Sequence, residues 1–210
     1  MSGFYPLFLN IRDHDCLVVG GGEVAERKIV DLLDEGANVH VISPDTTEKI
    51  SELAKMGRIT YEARDYRMGD VRKSFTLVFA TTDDRHKNQL VYGDAKKMRV
   101  PINVADDASL CDFYVPSVVR RGELKIAIST EGRSPALAKH IRERLQDEFG
   151  PEYERWVDIV GQFRERVKIV VKDEGLRRSA FSKLLKSDVI EDVKAEKTID
   201  IEDLVTRFAR

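Results

Sequence analysis

Apolar side chains in the first half of the chain fall in short blocks separated by longer amphipathic stretches. Cys16-Leu17-Val18-Val19 is an unbroken apolar run that ends in Gly20-Gly21-Gly22, which predicts a short strand buried on both faces. Ala25, Ile29, Leu32 and Leu33 then recur at i, i+4, i+7 and i+8, the stripe of a helix packed on a sheet. Gly36 stands where the glycine after such a helix is expected. The alternation continues. Asn38 to Ile42 predicts a second strand broken by Pro44, Thr46 to Met56 a helix, and Ile59 to Tyr61 a third strand. Leu77 to Ala80 predicts a fourth strand, Asp83 to Met98 a helix, and Val100 to Val104 a fifth strand. Strands alternating with helices imply a parallel sheet covered on both faces, an α/β fold.

The rhythm changes after residue 112. Phe113-Tyr114-Val115, Ser117-Val118-Val119 and Leu124 to Ile128 are strand-like, with Arg121-Gly122-Glu123 as a hairpin turn between the last two. Ser134-Pro135 marks a helix start, Ser as N-cap and Pro at the first position. The remainder reads as helical, punctuated by Pro151 and Gly175, with Lys186 to Lys197 its most charged part. Three parts are expected: a sheet domain over 1–112, a small strand-containing segment over 113–145 and a helical domain over 146–210.

Composition narrows the class. With 210 residues, 42% of them apolar and 34% charged, the chain has ample core and too much of it for a disordered protein. No apolar run approaches the ~18 residues that span a bilayer, so no membrane partner is expected. Phe4 to Ile11 is apolar, but no basic segment precedes it and Arg12-Asp13-His14-Asp15 follows, a poor secretion signal. Cys16 and Cys111 are far apart and lack metal spacing, which fits a reduced, cytoplasmic protein. A net charge of −2 gives no sign of nucleic-acid binding.

Gly20-x-Gly22-x-x-Ala25 matches the dinucleotide fingerprint between a strand and a helix. The first glycine permits the turn, the second lets backbone approach a pyrophosphate, and the small third residue lets helix and strand pack closely. A tight structural turn is the bland alternative. The acid that usually binds the adenosine ribose arrives late, as Asp45 after Ser43-Pro44, and no arginine follows to receive a 2′-phosphate, which favours NAD over NADP. Thr81 and Thr82 end the fourth strand, where their hydroxyls serve either a ribose or nicotinamide or, with Asp83, the cap of the next helix.

Asn103-Val104-Ala105-Asp106-Asp107 leaves the fifth strand at the same edge, making Asn103 a cofactor candidate. A carboxylate there can take a proton while hydride leaves toward a nicotinamide. It can equally be part of a turn built from Asp side chains.

YPLFLNIRDHDCLVVGGGEVAERK, ATTDD, NVADDASLCDFYVPSVVRRGELKIAIST and GRSPALAKHIRERL, in that order over most of residues 4 to 145, resemble the precorrin-2 dehydrogenase family, the dehydrogenase and ferrochelatase portion of siroheme synthase. The resemblance implies a Rossmann-like NAD-binding domain, a dimerisation segment over 113–145 and a helical domain over 146–210, assembled as a homodimer. It implies oxidation of precorrin-2 to sirohydrochlorin and, in some members, insertion of ferrous iron to give siroheme. It places NAD contacts at the glycine loop, including Glu23 and Val24, and at Pro44 and Asp45. The family's catalytic aspartate falls on Asp106, with Asp107 one place away. One departure is visible: Thr130 stands where some members have serine, and Glu131 where glycine is frequent.

A tetrapyrrole carries many carboxylates, so its site needs cations. Arg120, Arg121 and Arg133 are the candidates, with Lys125, Lys139 and Arg142 nearby in sequence; the alternative for each is an ordinary solvated face. No Cys/His cluster offers a metal cage, and a chelatase does not require one because the macrocycle itself becomes the ligand set. The rivals are an NAD-sensing regulatory domain without chemistry, and a chelating protein that has lost its cofactor.

Overall fold

The apolar run at residues 16 to 19 lies in the central strand of a five-stranded parallel sheet, in a computed structural model that describes residues 3–209. This strand, β1 (Asp15–Val19), is flanked by β2 (Asn38–Ile42) and β4 (Leu77–Ala80), and beyond them lie β3 (Thr60–Glu62) and β5 (Ile102–Val104). The order β3-β2-β1-β4-β5 reverses direction at β1, which opens a crevice at the carboxyl ends of β1 and β4. This is the parallel sheet expected from the alternation, in the Rossmann-like arrangement that the resemblance implies.

Period two explains why β1 is apolar throughout. Cys16 and Val18 join a core with Ala25, Ile29 and Leu32 of α1 (Glu23–Asp34) and Ile50 of α2 (Glu48–Lys55). Leu17 and Val19 point the other way, into a core with Val91 and Ala95 of α3 (Arg85–Met98). Leu17 and Ile29 are fully buried, each contributing about 1.5–3 kcal/mol.

Side-chain caps set where the crossover helices begin. Thr47 accepts the Ile50 N–H through its hydroxyl and starts α2. The cap of α3 is Asp84, whose carboxylate accepts the N–H groups of His86 and Lys87. Neither Thr82 nor Asp83, the alternatives for a cap, takes that place; Asp84, with extended backbone, stands immediately before the first turn. Between β3 and β4 the chain makes no strand. Tyr66 and Gly69 there donate to the buried carboxylate of Asp94 on α3, and Arg64 holds Asp70 with two bonds.

Phe113 to Val115, expected as a strand, pair with no strand among the described residues, and two of their side chains pack against aromatic rings. Phe113 meets Phe79 edge-on at 5.4 Å, and Tyr114 lies 4.4 Å from Phe4. The chain divides into two compact units, Met1–Val115 and Pro116–Arg210. One boundary after Val115 thus stands where the sequence suggested two, since the hairpin and its following helix share a unit with the C-terminal helices.

In the second unit β6 (Ser117–Arg121) and β7 (Leu124–Ile128) form the expected antiparallel hairpin, turned at Gly122 with φ 55°. Ser134 accepts the Leu137 N–H and starts α4 (Pro135–Glu148) with proline at its first position. The remaining helices are α5 (Glu152–Val170), α6 (Glu174–Leu185), α7 (Val189–Lys194) and α8 (Ile201–Phe208). Gly175 lies inside α6; the break before that helix is made by Asp173, which accepts the Leu176 N–H. The charged stretch after Lys186 still folds, because Val189, Val193, Leu204, Val205 and Phe208 reach a core shared with Trp156, Phe163 and Leu184.

Candidate cofactor and active site

The three glycines after β1 have different duties. Gly20 takes φ 124°, and a Cβ there would lie 2.6 Å from the Thr81 hydroxyl oxygen. A Cβ on Gly21 would collide with the carbonyl oxygen of Asp45. Gly22 is different: its φ is −82°, and an added Cβ would meet nothing within 4 Å. Gly20 and Gly21 are glycines for the loop's own packing, whereas the space at Gly22 is open. Gly22 is also the N-cap of α1, which begins without any side-chain cap. The N–H groups of its first turn, at Glu23 and Val24, therefore keep their donors and the helix's partial positive charge for an external anion. This fits the pyrophosphate of a dinucleotide. The duty of Gly21 is invisible in the fingerprint, which treats that position as variable.

The segment after β2 is laid on the glycine loop by backbone bonds. The Thr47 N–H donates to the Gly21 carbonyl at 2.9 Å, and the Ser43 hydroxyl donates to the Asp45 carbonyl at 2.7 Å. Pro44 and Asp45 are left exposed beside the glycines, with the Asp45 carbonyl packed against Gly21. A groove of about 710 Å³ between α1 and α2 is lined by Glu23, Glu26, Glu48 and Glu52 against the cations Arg27 and Lys49.

Across β1, the end of β4 is held by its own hydroxyls. Thr81 is buried and donates to the Val19 carbonyl at 3.0 Å. Thr82 donates to Asn88 at 2.8 Å and contacts the Asp84 carbonyl at 3.1 Å. Asn88, unmarked in the sequence, is buried in α3 and also bonds the backbone N–H and C=O of Thr82. Asn103 turns its amide N–H to the Phe113 carbonyl at 2.9 Å, tying the chain after β5 back to the strand.

Thr82, Asn88, Val104, Asp106 and Asp107 line one cavity of about 350 Å³. The two aspartates are distinct there. Asp107 caps the 3-10 turn Ala108–Leu110: its carboxylate accepts the Ser109 N–H and hydroxyl and lies 3.7 Å from the Arg85 guanidinium. The Ser109 bonds, with Arg85 adding, hold it below the usual carboxylate range, against a smaller opposing effect of burial. Asp106 is exposed in a left-handed conformation, φ 60°, and its carboxylate has no hydrogen-bond or ion-pair partner among the described residues. Left-handed backbone is uncommon for residues other than glycine, though aspartate tolerates it best.

The basic candidates belong to the second unit. Arg121 gives its guanidinium to backbone, donating to the carbonyls of Phe149 at 2.8 Å, Gln146 at 3.0 Å and Arg120 at 2.9 Å, and so closes the end of α4. Arg120 and Arg133 are exposed. The loop before α4 is held by Thr130, whose carbonyl accepts the Arg133 N–H and whose hydroxyl accepts the Ser134 N–H. Glu131 takes φ 53° there, which explains why glycine suits that position. Among the described residues no group of three or more His, Cys, Asp or Glu is placed to hold a metal ion, and no helix is long and apolar enough to cross a membrane.

Fold and glycine loop together define a dinucleotide-binding protein. The family model described as "Putative NAD(P)-binding" matches residues 7–117, "Sirohaem biosynthesis protein central" residues 121–148, and "Sirohaem synthase dimerisation region" residues 152–207. The chain belongs to this NAD(P)-binding family, and its parts run in the order of the N-terminal portion of siroheme synthases. The siroheme synthase of Nitrosospira multiformis is 37% identical over 198 residues, 92% of this chain and 42% of the relative. That of Nitrosococcus oceani is 39% identical over 192 residues, 91% of this chain and 41% of the relative. The chain thus spans about two fifths of the length of these relatives. The solved structure "SirC, precorrin-2 dehydrogenase" superposes with a TM-score of 0.77 at 22% identity, covering 98% of each chain, a likeness of fold.

Proposed function

We propose that the chain is an NAD-dependent dehydrogenase that oxidises precorrin-2 to sirohydrochlorin in siroheme biosynthesis. The observation that carries this reading is Asp106: an unpartnered carboxylate in a left-handed turn, at the same sheet edge as an uncapped, glycine-preceded helix. NAD, held by the glycine loop, would supply the hydride acceptor for the substrate carbon. The oxidation also releases a proton, and Asp106 is the side chain free to take it. Asp107 is the weaker candidate, because one of its oxygens is taken by the Ser109 N–H and hydroxyl and the other lies 3.7 Å from the Arg85 guanidinium.

Gly22, Glu23 and Val24 would hold the pyrophosphate and Asp45 the adenosine ribose, with Thr82 at the nicotinamide end. The acid Asp45 after β2, with no arginine directly following it in sequence, supports NAD over NADP. Arg120 and Arg133 are proposed for the substrate carboxylates. Arg121 contributes indirectly, by fixing the end of α4.

Insertion of ferrous iron is proposed as a second reaction of the same site, with Asp106 accepting the protons that leave the pyrrole nitrogens. Two copies are proposed to assemble, on the strength of the dimerisation-region match at 152–207. Light scattering at micromolar concentration should give twice the chain mass of 23.9 kDa; a monomer there rules the dimer out. The decisive test is an anaerobic assay with precorrin-2 and NAD, read as NADH formation, followed by ferrous iron without further NAD. No NADH with the folded protein rejects the dehydrogenase; NADH without metallation in the second stage rejects the chelatase alone.

A further inference from the structure

We infer that Cys111 is the positioning residue for the Asp106 carboxylate, acting through the turn that joins β5 to the 3-10 segment. The inference rests on Asp106 as proton acceptor. The Cys111 sulfur sits inside this turn and contacts it on both sides of Asp106. Before it, the sulfur accepts the Val104 N–H at 3.3 Å and the Asn103 amide N–H at 3.5 Å. The thiol also lies 3.3 Å from the Val104 carbonyl and 3.4 Å from the Asp107 carbonyl, either of which can accept its proton.

Backbone bonds hold the flanks of the turn, Ala105 N–H to the Ala80 carbonyl and Asp112 N–H to the Ile102 carbonyl, both at 2.8 Å, but across the turn itself the closure is weak. The Asp107 N–H reaches the Val104 carbonyl only at 3.5 Å, beyond the usual range for such a bond. Asp106 must nevertheless hold φ 60°, a conformation that needs its neighbours fixed. The sulfur adds to that fixation, being the one side chain among the described residues that grips Val104 and Asp107 together. Burial raises the Cys111 pKa, so the thiol keeps the proton it donates at neutral pH. Both cysteines are free; Cys111 also packs against the core that holds Leu17 and Val19, and Cys16 is buried elsewhere in β1.

A cysteine that merely filled space would be replaced by alanine at a modest cost in stability and none in turnover specifically. A positioning residue gives a different signature. Cys111→Ala should lower kcat about 10- to 100-fold, the scale of a small misplacement of a catalytic group. Affinity for NAD, titrated separately, should stay unchanged. Cys111→Ser, whose hydroxyl can still donate and accept in the turn, should recover part of the loss. In an Asp106→Asn background, Cys111→Ala should remove no further turnover, because two residues acting through one group are not additive.

Wild-type kcat in Cys111→Ala overturns the inference while leaving Asp106 in its role. So does a loss that multiplies with that of Asp106→Asn, which would place the action of Cys111 elsewhere. Wild-type kcat in Asp106→Asn instead overturns the proton-acceptor reading and this inference with it. Should Cys111→Ala fail to fold, Cys111→Ser carries the same cycle.

Discussion

At the carboxyl ends of β1 and β2 the site is made of backbone, and at the ends of β4 and β5 it is made of side chains. The first half needs absence: no Cβ at Gly20 or Gly21, no obstruction at Gly22, no cap on α1. The second half needs presence: Thr82 and Asn88 bonded to each other, Asp107 bonded to Ser109, Cys111 gripping the turn, and Asp106 left over. The contrast follows from what each half has to do. A pyrophosphate is recognised by N–H groups that every residue carries, so selection acts on what must be kept away. Proton transfer needs one ionisable oxygen in one place, so selection acts on what must hold it.

That comparison can be broken in four ways. The largest expected effect is Asp106→Ala, which should cost about 10²- to 10⁴-fold in turnover, the contribution of a positioned proton acceptor. NAD binding should not change, so parallel loss of NAD affinity would merge the two halves that the structure separates. Next is Gly22→Val. With φ −82° and no atom within 4 Å of the new Cβ, the variant should fold normally, yet its side chain intrudes on the open space before α1. NAD affinity should fall about a hundredfold, near 2.7 kcal/mol, by calorimetric or fluorescence titration. An unchanged titration curve from folded protein would remove the cradle.

Gly21→Ala sharpens the contrast within the loop itself. The clash with the Asp45 carbonyl involves backbone on both sides, so stability should drop by about 1–3 kcal/mol, seen as a lowered Tm. If Gly21→Ala instead kept its Tm and lost NAD, the division of labour among the glycines would be reversed. The smallest effect is Asp107→Ala. Losing a cap costs about 0.5–2 kcal/mol, and turnover should fall far less than in Asp106→Ala. Severe loss in Asp107→Ala alone, with Asp106→Ala nearly normal, moves the acid–base role by one residue.

Most of the first unit was legible because its signals are local. An apolar run such as Cys16 to Val19, short and closed by glycines, reads as a strand covered on both faces, and a glycine fingerprint between strand and helix points to a dinucleotide. The turn at Asp106 was placed by resemblance, and its internal logic was not legible at all. Asn88 reads as an ordinary polar helix residue until Thr82 is seen beside it. Cys111 reads as a stray thiol until the chain folds back on Val104. Phe113 to Val115 carried the apolar density of a strand, but they pair with no strand among the described residues. Arg121 looked like a free cation, and only the returning end of α4 shows its guanidinium engaged. In each case the deciding partner lies several to many residues away in sequence, and no local pattern announces it.

The bare start of α1 has a consequence for solvent exchange. Amide protons of β1, paired on both sides and buried on both faces, should exchange with deuterium only through large-scale opening. Those of Glu23 and Val24, with no acceptor of their own, should exchange within the first moments. Bound NAD would slow these two amides while leaving β1 untouched. A deuterium-exchange map with and without the dinucleotide therefore reads occupancy of the loop directly, with no tetrapyrrole present and no reaction run.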